Sequence, residues 1–102
     1  MDISVKDLKA MDQISISTRH SEYCFQVTEP AQCRGFLSGG VFGAEQYEAM
    51  LTGSVTPESR QGCISNKLEI GRCALFYIAA KESLRCLTTS AITNLKLGCD
   101  VL

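Results

Sequence analysis

Between residues 13 and 28 polar and apolar side chains alternate in two runs, a pattern that reads as a β-hairpin. Gln13 to Thr18 sets Ile14 and Ile16 on one face of an extended chain, with polar residues on the other. Arg19, His20 and Ser21 make a tight connection, after which Tyr23, Phe25 and Val27 share a face opposite Cys24, Gln26 and Thr28. Glu29-Pro30-Ala31-Gln32 ends the pattern, because proline fixes its own φ and has no amide to give to a ladder.

Strand signals continue along the chain. Cys33 to Ser38 reads as a third strand stopped by Gly39-Gly40. Ala44 to Ser54 is ambiguous, since its Glu, Gln, Ala and Met content suits a helix while its Tyr47, Ala49, Leu51 alternation suits a strand. We read it as a strand, because so short a helix is marginal without packing. Val55 to Asn66, with Pro57, Gly62 and several small polar residues, reads as one long loop. Lys67 to Ile70 and Arg72 to Ala80 follow as strands. Lys81-Glu82-Ser83 reads as a turn, and Leu84 to Thr89 and Ala91 to Leu97 as two last strands.

The expected fold is therefore all-β: a small, partly open antiparallel barrel of about six to eight short strands. One domain spans 1–102, with 1–12 as an amino-terminal arm and 55–66 as the long loop. A chain of 102 residues is the size of a single hydrophobic core. At the amino terminus, Ser4 and Asp7 suit either the cap of a short helix over Val5 to Met11 or a lead-in arm.

Six cysteines are the unusual entry in an ordinary composition. Cys24, Cys33, Cys63, Cys73, Cys86 and Cys99 show neither the paired spacing of zinc ligands nor Cys-x-x-Cys. Residues 1–13 alternate charge with single apolar residues and do not read as a secretory signal. The longest uncharged apolar run, Cys73 to Ala80, falls far short of the ~20 residues of a membrane helix. The expectation is a cytoplasmic chain off the membrane, its cysteines free and mainly buried thiols; the alternative, a framework of three disulfides, needs an extracellular setting.

Ten Lys+Arg against eleven Asp+Glu give a formal charge of −1, which removes the cationic excess that drives non-specific nucleic-acid binding. Arg19, Arg34, Arg60, Arg72 and Arg85 are dispersed, and aromatic residues for base stacking are few. His20, beside Arg19 in a turn, reads as solvated, and no Ser-His-acid or paired-carboxylate pattern is present. No metal and no cofactor are expected, and catalysis has no support.

Two features stand out. In Arg72 to Ala80, Ala74, Phe76 and Ile78 can face a core, but Leu75 and Tyr77 then point outward, where burying each is worth ~1.5–3 kcal/mol. Their cover is either the same chain or a homo-oligomer interface. The second feature is Ser38-Gly39-Gly40, within the run to Gly43. It serves either as a strand-end bend or as a turn whose backbone amides bind an anion.

The segments CRGFLSGGVFG, LEIGRCALFYI and RCLTTSAITNL resemble those of uncharacterised small bacterial β-barrel proteins, and more distantly PilZ domains. The PilZ resemblance implies a six-stranded barrel that binds a cyclic dinucleotide, with Ser38-Gly39-Gly40 set against that family's serine-glycine motif. The arginine pair that grips the ligand phosphates there has no counterpart in this chain, and Phe36 stands where an Asp or Asn is expected. Three readings of function remain: a non-catalytic interaction or oligomerisation module, a small-anion or nucleotide effector-binding barrel, and a thiol-dependent enzyme.

Overall fold

The computed structural model describes residues 2–40, 43, 45–58, 64–80 and 83–98. Its strands are β1 (Asp2–Ser4), β2 (Gln13–Thr18), β3 (Glu22–Glu29), β4 (Arg34–Gly39), β5 (Tyr47–Val55), β6 (Lys67–Glu69), β7 (Cys73–Ala80) and β8 (Ser83–Leu97). Short 3-10 turns at Val5–Asp7 and Pro30–Gln32 complete the described elements. The all-β expectation holds.

Six strands form a ring in the order β2-β3-β4-β5-β7-β8, and β8 pairs back onto β2. All six pairings are antiparallel. The strand order thus closes on itself. β8 completes the ring by meeting β7 through residues 83–91 and β2 through residues 92–97.

The alternation read from the sequence sets the inside. Ile14, Ile16, Phe25, Val27, Leu37, Leu51, Ala74, Phe76 and Ile92 are all essentially inaccessible. Phe25 and Phe76, from β3 and β7, meet with ring centroids 5.4 Å apart at 60°, a favourable tilted geometry. A six-stranded ring has a narrow interior, and these side chains fill it.

Residues of the amino-terminal arm are structural. β1 pairs with β6, and Ile3, Val5, Leu8 and Leu68 join the main core cluster. They pack at the end of the ring where β2 and β4 begin. Ser4 makes no side-chain cap, and the helical turn stops at Asp7 rather than running to Met11.

The last third departs most from expectation. Leu84–Thr89 and Ala91–Leu97 are one continuous strand, not two. The register shifts between Cys73 and Leu75, and Thr89 bridges the irregularity. Its Oγ1 accepts the Ala74 N–H at 3.0 Å and donates to the Ser90 carbonyl at 2.8 Å. A side chain thus replaces a lost ladder bond and lets the strand continue. Of the expected turn, Lys81 and Glu82 lie outside the described residues, as do residues 59–63 of the expected long loop. That loop also begins later than expected, because β5 includes Val55.

Ambiguous residues 44–54 resolve as strand from Tyr47 onward. A bulge between Leu51 and Gly53 brings a neighbouring segment close, and Ser54 bridges Ser65 through two backbone hydrogen bonds.

Candidate functional site

The two outward residues of β7 have different fates. Leu75 is 6% exposed and clusters with Val55 and Cys73, so its own chain covers it. That removes Leu75 from the expected interface. Tyr77 is 38% exposed. It stands on an open groove of about 250 Å³ together with Arg34, Glu48, Ala49, Met50 and Ala79.

Register builds this groove. Arg34 on β4 is opposite Met50 on β5, Met50 is opposite Tyr77 on β7, and Tyr77 is opposite Cys86 on β8. One row of outward side chains therefore crosses four strands. In the next row, Phe36 is opposite Glu48. Phe36, Met50 and Tyr77 are 41%, 36% and 38% exposed, which makes a shared apolar face rather than three isolated residues.

Charge frames the face. Arg34 approaches Glu29 at 4.0 Å with both side chains well exposed, a contact of small energetic value. The Glu48 carboxylate has no hydrogen-bond or ion-pair partner among the described residues.

The expected anion site is shaped differently from an open cradle of amides. Gly39 and Gly40 have φ of 91° and 51°, conformations that favour glycine. A Cβ on Gly39 would lie 2.3 Å from the Glu22 carbonyl oxygen, and one on Gly40 would run into the Tyr23 ring. The Gly39 N–H already donates to the Gly43 carbonyl at 3.0 Å. Ser38 faces Cys24 in the ladder. These glycines let the chain turn against β3. Val41 and Phe42 lie outside the described residues.

The cysteines divide. Cys24 is disulfide-bonded, which corrects the expectation of free thiols throughout. Widely spaced cysteines carry no local signature of such a bond. Cys33, Cys73 and Cys86 carry thiols, and Cys63 and Cys99 lie outside the described residues. Burial pushes the Cys33 thiol up from its ordinary value, the reverse of what an activated thiolate needs. Its Sγ sits 3.9 Å from the Val5 carbonyl oxygen and 3.8 Å from that of Pro30. His20 is exposed at the bend between β2 and β3, at the other end of β3 from Cys33.

Elsewhere, Tyr47 Oη donates to Glu45 at 2.6 Å, and that hydrogen bond raises the phenol above its usual pKa. A second hollow of about 190 Å³ gathers Asp2, Asp7 and Asp12 around Ile3, Leu8 and Leu97. Asp12 is already occupied by the Lys9 N–H at 2.8 Å. Among the described residues no group of three or more His, Cys, Asp or Glu is placed to hold a metal ion. None of the helices among them is long and apolar enough to cross a membrane.

Comparison with protein-family models, with curated proteins and with solved structures gives no match.

Proposed function

We propose that this chain is a non-catalytic interaction module that binds through the outer face of β4, β5 and β7. One observation carries the reading: Phe36, Met50 and Tyr77 are exposed together, beside an open groove framed by Arg34 and Glu48. Aromatic, Met and Arg side chains at one place are the composition of protein contact surfaces. The groove is smaller than the usual 300–1,000 Å³ of a small-molecule pocket, and so suits a protruding side chain better than a ligand. On this face β4, β5 and β7 are paired side by side, so a partner meets it by packing on side chains rather than by adding a strand.

Photo-crosslinking tests this reading in cells expressing the full chain. A photoreactive amino acid at Met50 or Tyr77 should give adducts that the same group at Asn94, exposed on β8, does not. Equal yields at all three positions would refute it.

Effector binding at Ser38, Gly39 and Gly40 is the second reading. It draws on the consecutive positive φ angles and on the PilZ resemblance, but the Gly39 amide is already committed within the chain. Calorimetric titration with cyclic dinucleotides and inorganic phosphate decides it, and absence of heat removes it. Compartment is a separate matter. Disulfides persist in oxidising surroundings, so the bond at Cys24 weighs against the reducing, cytoplasmic location expected from the sequence.

A further inference from the structure

We infer that the occupant of this face is a second copy of the same chain, seated through a two-fold axis that sets Arg34 of each copy against Glu48 of the other. The inference rests on the reading of the face as a contact surface and adds the identity and geometry of the partner.

The argument begins with four residues on two neighbouring strands. Arg34 is opposite Met50 and Phe36 is opposite Glu48, so the four outward side chains form the corners of a quadrilateral. Adjacent strands are ~4.8 Å apart and residues i and i+2 ~6.7 Å apart, so a half-turn about one diagonal brings the other two corners to within roughly 3 Å of each other, a gap that long side chains span. One diagonal joins the charges, Arg34 and Glu48. The other joins the apolar pair, Phe36 and Met50.

Such a pattern is complementary to itself. Two faces that pack against each other as an isologous dimer are related by an axis lying in the plane between them. If that axis runs along the Phe36–Met50 diagonal, Phe36 meets Phe36 and Met50 meets Met50. Arg34 then faces Glu48 twice, once in each direction. Apolar contacts fall on the axis and opposite charges fall on either side. A diagonal of like charges would instead have set repulsion against itself.

The remaining electrostatics agree. Among the described residues the Glu48 carboxylate has no partner and the Arg34 guanidinium meets only the exposed Glu29, at 4.0 Å, so little is lost when either turns to another copy. A formal charge of −1 gives two copies little mutual repulsion.

Sedimentation velocity over a concentration series tests this with the full chain, each variant first checked for an unchanged thermal melt. The wild type should pass from monomer to dimer. Arg34→Glu and Glu48→Arg should each weaken the dimer by about tenfold or more. An equimolar mixture of those two variants should regain it, because every contact between the two different chains is then again between opposite charges.

A wild type that stays monomeric at high micromolar concentration overturns the inference, as do single variants that dimerise like the wild type. A dimer that Met50→Lys abolishes but the mixture does not restore also overturns the two-fold arrangement, while the contact face stands. Likewise, a monomer whose Met50 crosslinks reach only other proteins removes the second copy and leaves the face. Crosslinks no stronger than those from Asn94 remove both.

Discussion

The guanidinium of Arg72 holds Ser54 twice, its Nε donating to the buried Oγ at 2.9 Å and Nη2 to the Ser54 carbonyl at 3.0 Å. The same Oγ donates to the Lys67 carbonyl, so one hydroxyl ties β5 to the start of β6 and to the residue before β7. Ser54 has no solvent exposure, and water cannot replace either partner there.

Removing the guanidinium therefore takes one of two hydrogen bonds from each group, leaving the hydroxyl only the Lys67 carbonyl and the Ser54 carbonyl only the Ser65 N–H. Arg72→Met should lower stability by about 1–3 kcal/mol in urea unfolding. Arg72→Lys should recover only part of that, because a single ammonium does not reproduce the planar fork. Equal stability of Arg72→Met and wild type would show the pair to be incidental.

Gly53 is strained for any other residue. Its φ is 145°, and a Cβ there would lie 2.0 Å from the Ser65 carbonyl oxygen, which is backbone and cannot swing aside. Gly53→Ala should cost at least ~1–3 kcal/mol and weaken the Ser54–Ser65 bridge. Hydrogen exchange at the Ser54 and Ser65 amides reads the local effect, and protection equal to wild type would contradict it.

Phe76 lies fully buried against Phe25 inside the ring. Phe76→Ala should destabilise by about 3–5 kcal/mol, a large fraction of the ~5–15 kcal/mol that holds a typical domain folded. Phe76→Leu should cost distinctly less, since it leaves a smaller void. A chemical melt comparing the two variants checks the order.

Thiol reactivity should follow exposure and burial. In native protein Cys86, exposed on β8, should alkylate well before Cys33 and Cys73, while Cys24 should resist until a reductant is added. Burial favours the protonated thiol of Cys33, so its contribution to stability is present below the ordinary thiol pKa and is lost as pH rises through the raised value. Peptide mass spectrometry after timed alkylation measures the order, and early modification of Cys33 at neutral pH would contradict it.

Much of the barrel could be read from local pattern. β2 spans Gln13–Thr18, the bounds its alternation predicts, and Tyr23, Phe25 and Val27 face inward as theirs requires. Local pattern also split Leu75 from Ala74 and Phe76, but it carried no information on which outward residue the chain itself would cover. The merger of two expected strands into β8 depended on Thr89, whose role exists only once Ala74 lies opposite. Arg34, Met50 and Tyr77 are distant in sequence and become a row only through register. For the same reason no spacing announced Arg72 and Ser54 as partners.

Closure of the ring has a consequence for how the chain reaches its fold. Ile14 pairs with Leu97, and the Gly98 N–H donates to the Gln13 carbonyl at 2.6 Å. The first strand of the ring must wait for the last, so a nascent chain emerging from the ribosome holds the apolar faces of β2 and β7 without their shared neighbour until β8 is complete. The nascent ring is therefore most exposed to misassociation just before that strand arrives.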